Sequence, residues 1–436
     1  MISGILFGIF GLAVLMGIAV LFSNNRGKIN WRLVIVGLAL QLAFAVFVLL
    51  VPFGSTVFDY IGRFFVQIIN FTYEGAEFVF GPLANQTKFG SAFDQPGFGF
   101  IFAFQVLPTI IFFASLMSVL YHLGVMQKIV QGMAWVMAKT MGVSGAESIS
   151  VAANVFIGQT EAPLVVRPYV SPMTKSELFT LMVGGMATIA GGVLAAYVGL
   201  LGGADEALKI YYAKHLLSAS IMAAPATIVI AKILVPETGV SQTMGEVKVH
   251  IEKTASNVID AAASGAADGL KLAANVGGML LAFIALIAMF NWIITGILTD
   301  LLHLTINGQP ITLQILLGYL LSPIAWVIGV PWSDATTVGS LIGQKVILNE
   351  FIAYLELSQL IATGALSDKA VLISTYALCG FANFSSIAIQ IGGIGGIAPD
   401  RKADLAKFGL RAVLGGSLAT MMTATIAGVL RSLGGV

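Results

Sequence analysis

Apolar runs of about 20 residues, the length a helix needs to cross the hydrocarbon of a bilayer, recur along this chain. They cover residues 2–22, 33–53, 99–121, 177–201, 214–235, 271–301, 368–392 and 407–430. The pattern predicts an all-α integral membrane protein with eight transmembrane helices. Two further apolar stretches, about 143–172 and 331–358, are interrupted by prolines and polar residues. At roughly 1.5 Å per residue, half of either stretch reaches only about the bilayer midplane. Both are expected to be re-entrant hairpins, whose irregular tips survive only when buried in protein or beside water. The first run, Ile2 to Phe22, has no basic residue before it. It lacks the charged n-region of a signal peptide and is expected to be the first span.

Orientation follows from lysine and arginine. Arg26, Lys28 and Arg32 follow the first run, and Arg401, Lys402 and Lys407 precede the last. With both groups in the cytoplasm, Arg167, Lys175, Lys232, Lys248 and Lys253 also fall inside, and both termini face out. Segments 54–98 and 202–213 are then outside and 236–270 inside. Residues 246–268 mix Glu246, Lys248, Glu252, Lys253 and Asp260 with Val249, Ile251, Val258 and Ile259. That is the pattern of a helix lying at the inner surface; a solvated loop is the plainer alternative.

An internal repeat organises the chain. Ala134-Trp135-Val136 precedes Gly142-Val143, Glu147 and Thr160-Glu161, while Ala325-Trp326-Val327 precedes Gly329-Val330, Asp334 and Asn349-Glu350. Each copy reads as span, amphipathic helix, interrupted hairpin, span, span. The first copy starts from outside and the second from inside, so they are inverted. This divides the chain into N-terminal spans with an outer segment (1–98), a first repeat (99–235), a cytoplasmic interfacial helix (236–270) and a second repeat (271–436). Inverted repeats with broken helices and a midplane site at their interface are the design of secondary transporters.

Composition agrees with the membrane reading. Of 436 residues, 58% are hydrophobic and 10% charged, against roughly 25% charged in soluble chains. A net charge of +1 gives no bulk electrostatic basis for binding nucleic acid. The single cysteine, Cys379, excludes intramolecular disulfides and any Cys-rich metal site. His122, His215, His250 and His303 fall at span ends or in loops without metal spacing and are assigned no function.

The candidate chemistry lies at the interruptions. Gly158-Gln159-Thr160-Glu161-Ala162-Pro163 sets an amide, a hydroxyl and a carboxylate in an apolar surround. Ionisable groups at membrane depth are costly and mark functional sites, and Pro163 just beyond the glutamate breaks the helix. The second interrupted stretch offers Asn349 and Glu350 after Gly343-Gln344-Lys345. The span after each is disturbed too: Gly184-Gly185 and Gly191-Gly192 flank Thr188, and Gly380 to Ser386 carries Asn383, Ser385 and Ser386. Unwound backbone exposes carbonyl oxygens that hard monovalent cations bind. Together these segments suit a neutral ligand rich in hydroxyls and amide-like edges, with Phe381 or Phe384 available for stacking. Plainer readings stand beside these: Glu161 or Glu350 as structural carboxylates, Thr188 and Ser385 bonding back to helical carbonyls, and Asn154 as a helix-packing residue. Arg167, Lys345 and Glu177 are expected to pair with other charges or set topology.

At these residues the chain resembles the concentrative nucleoside transporter family over nearly its whole length, in the eight-span form typical of bacteria. The resemblance rests on Gly158-Gln159-Thr160-Glu161-Ala162-Pro163-Leu164 with Arg167-Pro168-Tyr169. It rests equally on Gly343-x-Lys345-x-x-x-Asn349-Glu350-Phe351-Ile352-Ala353-Tyr354 and on Cys379-Gly380-Phe381-Ala382-Asn383-Phe384-Ser385-Ser386. It implies a homotrimer in the cell's inner (plasma) membrane, each protomer carrying its own path. It implies that Gln159, Thr160 and Glu161 contact a nucleobase, that Glu350, Asn383 and Ser386 hold ribose hydroxyls, and that Phe381 and Val193 line the base pocket. The family's sodium site maps onto the Asn154 side chain, the backbone oxygens of Ile157 and Ile189, and the Thr188 hydroxyl; the family carries serine where this chain has Thr188. The expected function is therefore sodium-coupled symport of uridine-like nucleosides by an elevator-type movement, with no cofactor and no catalysis. A proton-coupled carrier is the alternative coupling. An intramembrane enzyme using both glutamates, and a channel, are the alternatives of another class.

Overall fold

The computed structural model describes residues 2–85, 88–89, 100–245, 255–306 and 308–434. Among them, seven helices are long and apolar enough to cross a membrane: Gly4–Leu21, Trp31–Leu49, Phe102–His122, Lys175–Gly202, Glu206–Leu234, Val258–Leu301 and Pro399–Ser432. Each answers to one of the predicted spans. The remaining predicted span, 368–392, is two short helices, Asp368–Ala377 and Phe384–Ile397, with non-helical chain between them. By length and composition, the described residues give an eighth crossing if Leu313–Val327 and Trp332–Ile347, bent by 116°, are counted as one span.

Three stretches differ from the sequence reading. The outer segment 54–98 contains a 29-residue helix, Pro52–Phe80, started by a proline at a position where a missing N–H costs nothing. Its buried residues Gly54, Phe58, Gly62, Val66, Ile69, Thr72 and Ala76 recur every three or four positions, the stripe of a helix with one covered face. The span expected from 214 begins at Glu206, capped by Asp205 through the amides of Ala207 and Leu208, so His215 is buried inside a helix rather than at its end. Of the expected interfacial helix, residues 246–254 lie outside the described residues. From Val258 onward the chain is not a separate element but the start of one 37-residue helix to Ile294.

Burial separates core from periphery. In the apolar windows of Glu206–Leu234 and Pro399–Ser432, 89% of residues are buried, against 11% for Val258–Leu301 and 28% for Phe102–His122. The first two are the central posts of the fold, and the last two form an outer pair. That pair approaches closely: a Cβ at Gly265 would lie 2.7 Å from the Ala114 carbonyl, and one at Gly269 2.8 Å from Ile111 Cα. The small residues let Ser115 Oγ donate to the Ala262 carbonyl at 2.9 Å, the close packing typical of helices in lipid.

The breaks face the centre. The helix Lys175–Ala187 stops at Thr188, whose backbone turns extended (φ −125°, ψ 170°), and restarts at Gly191. The second disturbed span breaks at Leu378–Asn383. Gly380 brings the two breaks together, since a Cβ there would lie 2.8 Å from the Met186 carbonyl and 2.8 Å from Thr420 Cγ2.

Candidate functional site

The first interrupted segment begins with a capping box, in which Ser144 Oγ accepts from the Glu147 amide and the Glu147 carboxylate accepts from the Ser144 amide. This fixes the start of the wholly buried helix Gly145–Asn154. The helix ends where the chain turns through Gly158, whose carbonyl accepts from the amides of Glu161 and Ala162 at 3.2 and 3.0 Å. Pro163 then opens the next short helix, Ala162–Val165. The second segment is simpler: Trp332–Ile347, two non-helical residues, then Glu350–Ala362 capped by Asn349 Oδ1 on the Ile352 amide at 3.0 Å.

Both breaks, and those of the two disturbed spans, open on one cavity of about 1190 Å³. All eight residues expected to contact substrate line it: Gln159, Thr160, Glu161, Val193, Glu350, Phe381, Asn383 and Ser386. Phe381 faces the cavity, while Phe384 is half exposed and not part of its lining. The opposite wall comes from the outer helix pair, through Phe113 and Met117 on one helix and Asn275, Met279 and Phe283 on the other.

The two glutamates are held differently. Glu350 is buried, and both its oxygens are engaged: Oε1 accepts from the Tyr197 hydroxyl and Oε2 from Asn383 Nδ2, each at 2.9 Å. Asn383 is itself fixed, because its Oδ1 caps the following helix through the Ser386 amide at 2.9 Å and accepts from Ser385 Oγ at 2.7 Å. Ser385 therefore does not bond back to a helical carbonyl. Gln159 Nε2 donates to Ser386 Oγ at 3.0 Å, and Gln159 Oε1 accepts from Gln390 Nε2, which also donates to the Met182 carbonyl. Glu161, in contrast, is exposed to the cavity and forms no ion pair among the described residues.

Two residues of this network are absent from the sequence reading. Tyr197 lies four positions, one helical turn, beyond Val193, and Gln390 lies four beyond Ser386. Residues three or four apart share a helix face, so Gln390 was discoverable as the next polar position on the Ser386 face. Nothing local in the sequence ties Tyr197 to Glu350.

Behind the cavity wall lie the residues expected to hold a cation. Asn154, Thr188 and Ile189 are buried, and Ile157 reaches the cavity lining. Asn154 Nδ2 donates to the Ser150 carbonyl at 3.0 Å, while its Oδ1 is buried with no hydrogen-bond partner among the described residues. A buried oxygen left without a donor costs about 1–3 kcal/mol, which a bound cation removes. Thr188 Oγ1 donates to the Gly184 carbonyl at 2.8 Å, the back-bond weighed from sequence, and its lone pairs remain. The breaks interlock: the Gly191 amide donates to the Phe156 carbonyl at 3.0 Å, and a Cβ on Gly184 would lie 3.2 Å from Asn154 Nδ2. The donor set, an amide oxygen, a hydroxyl and carbonyls of unwound chain, suits a hard monovalent cation.

The charges set aside in the sequence reading divide. Glu177 accepts from the Thr174 amide at 2.8 Å and from Ser241 Oγ at 2.6 Å. Arg167 lines the cavity. Lys345 forms no ion pair among the described residues: its ammonium donates to the Ala377 carbonyl at 2.8 Å and to Thr420 Oγ1 at 3.0 Å.

Comparison with known proteins bears on what this site serves. Residues 10–83 and 215–428 match the family models for the N-terminus and C-terminus of Na+ dependent nucleoside transporters, and residues 103–204 match a model for nucleoside recognition. The chain is 46% identical over 426 residues to the transporter YutK of Bacillus subtilis, covering 98% of this chain and 99% of that one. It is 41% identical over 432 residues to the nucleoside permease NupC of Helicobacter pylori, covering 98% of each. Among solved structures, CNTnw in an inward-facing substrate-bound state superposes with a TM-score of 0.91 at 46% identity, covering 99% of both chains.

Proposed function

The chain belongs to the Na+-dependent nucleoside transporter family, and from that premise we propose that it takes up nucleosides by sodium-coupled symport. The observation that carries the reading is the junction of two features. A doubly held carboxylate, Glu350, faces a cavity large enough for a nucleoside, and the partnerless Asn154 Oδ1 is buried behind the same wall. In this reading Glu350, Asn383 and Ser386 bind the ribose hydroxyls. Gln159, Thr160 and Glu161 bind the edges of the base, and Phe381 and Val193 pack on its faces. Sodium, as cargo, binds Asn154, Thr188 and the carbonyls of Ile157 and Ile189.

Coupling follows from shared parts. The cation residues and the base residues belong to one interrupted segment and one broken span. A cation that orders the 155–161 turn lowers the cost of preorganising Gln159, and such couplings are typically about 1–3 kcal/mol. The interrupted segments act as re-entrant hairpins. With the broken spans they form a unit that slides, elevator-fashion, against the outer pair Phe102–His122 and Val258–Leu301. The apolar exposure of that pair supports its use as the scaffold of a homotrimer, in a plasma (inner) membrane with both termini outside the cytoplasm. Nothing in this scheme calls for catalysis.

Glu161, open to the cavity and without an ion-pair partner among the described residues, favours one second reading, coupling to protons. Uptake of labelled uridine into proteoliposomes, in sodium and in choline buffers across pH, separates the two. Sodium coupling gives uptake that collapses in choline at every pH. Uptake that follows an imposed pH gradient in choline moves the coupling to the proton. Chemical conversion of uridine by the purified protein would overturn the transport reading itself.

A further inference from the structure

The two repeats place different groups at one position. Asn154 lies 7 residues before Glu161 and Lys345 lies 5 before Glu350, each in the last turn of the first arm of its interrupted segment. Counted from the glutamate, Thr188 is 27 residues beyond Glu161 and Ala377 is 27 beyond Glu350. Asn154 and Thr188 in the first repeat, and Lys345 and Ala377 in the second, are the residues that stand where the first arm meets the end of the following half-span.

In both repeats the C-terminal end of the first arm, Gly145–Asn154 or Trp332–Ile347, lies near the C-terminal end of the following half-span, Lys175–Ala187 or Asp368–Ala377. Helix C-termini carry a partial negative charge, so two converging ends call for a cation. In the first repeat the residues there are Asn154 and, on the central post, Thr227, whose Oδ1 and Oγ1 are buried and have no hydrogen-bond partner among the described residues. Thr227 Cγ2 and Asn154 Nδ2 stand 3.7 and 3.2 Å from where a Cβ on Gly184 would lie. In the second repeat the Lys345 ammonium fills the place. It is buried, bonded to the Ala377 carbonyl at 2.8 Å and to Thr420 Oγ1, on the other central post, at 3.0 Å.

We propose that Lys345 is a tethered counterpart of the transported cation: its ammonium permanently occupies, in the second repeat, the position that an exchangeable monovalent cation fills in the first. The inference rests on the cation reading of Asn154. It means that the fold contains two cation positions and that the lysine has closed one of them, setting one coupling cation per cycle.

The test uses the full-length protein with Lys345→Ala, which empties the position, and Lys345→Gln, which fills it with a neutral group. Thermal unfolding is followed in choline, sodium and ethylammonium chloride at equal ionic strength, and uridine uptake is measured against sodium concentration. Lys345→Ala is expected to melt below wild type in choline and to recover in ethylammonium, with the Hill coefficient for sodium rising from about one toward about two. Lys345→Gln is expected to melt low and gain nothing from ethylammonium. Equal responses of Lys345→Ala and wild type to all three salts would overturn the proposal. So would recovery of melting in choline on adding Glu350→Gln to either variant, since the lysine would then serve only as the counter-charge of Glu350. If Lys345→Ala does not fold, the comparison of Lys345→Gln with Lys345→Gln/Glu350→Gln decides: no recovery supports the proposal and recovery defeats it. A wild type whose melting ignores sodium would remove the cation reading of Asn154, and the ethylammonium response of Lys345→Ala would still judge the lysine separately.

Discussion

Gln159 and Ser386, 227 positions apart, share a hydrogen bond of 3.0 Å that joins the first interrupted segment to the second broken span. The bond is one link in a continuous chain, Gln390–Gln159–Ser386–Asn383–Glu350–Tyr197. Polar networks of this kind are worth more than their separate pairs, so the two halves of the cavity are set as one object.

Gln159→Ala and Ser386→Ala are each expected to weaken uridine affinity by about 1 kcal/mol, roughly fivefold in KM. The double variant should cost less than the sum, because both singles break one bond. Uptake kinetics on the four proteins check this. Strict additivity would place the two residues in independent contacts with substrate.

Tyr197→Phe removes a hydroxyl from the Glu350 carboxylate and nothing from the cavity lining, where Tyr197 does not appear. A hydrogen bond to a charged group is worth about 1.5–3 kcal/mol, so affinity for ribonucleosides should fall roughly tenfold or more. Glu350→Gln should lose more, since it also gives up the charge. An unchanged KM for uridine in Tyr197→Phe rules out a positioning role for the tyrosine.

Asn154→Ala deletes the partnerless Oδ1. Sodium dependence and uridine affinity are expected to weaken together, because in the proposed coupling the cation acts on affinity through the 155–161 turn. The coupling of about 1–3 kcal/mol would read as a rise in sodium half-saturation with a parallel rise in uridine KM. Normal sodium dependence in this variant puts the cation elsewhere.

The spans are legible because the length of an apolar run is a one-dimensional property of the chain. Pro52–Phe80 is not, since Asp59, Arg63, Glu74 and Glu77 break the run and only its three-to-four spacing betrays the helix. The break at 378–383 is half legible: Asn383 and the serines mark it as polar, but the apolar residues around it read as a continuous span. Asn383 as a helix cap that also donates to Glu350 requires knowing which helix starts there. Tyr197 meets Glu350 across 153 positions, and no local pattern encodes such a meeting.

A last expectation concerns stability around Lys232. Lys232 on the first central post is buried, with its ammonium 2.7 Å from Glu147 and 3.3 Å from Glu237, and it donates to Ser176 Oγ at 3.0 Å. Those partners sit on the first interrupted segment, on the segment after the post and on the first broken span. Thr243 closes the knot by accepting from the amides of Gly145 and Ala146. Removing one member of a buried pair leaves an uncompensated charge and costs about 3–5 kcal/mol, so Lys232→Ala should lower the melting temperature sharply. Lys232→Met combined with Glu147→Gln removes both charges and should recover much of the loss, as replacing a buried pair by neutral groups often does. Melting of the purified variants distinguishes the cases. A double variant no more stable than Lys232→Ala would mean that the tie among the three elements, not the charge, is what the pair supplies.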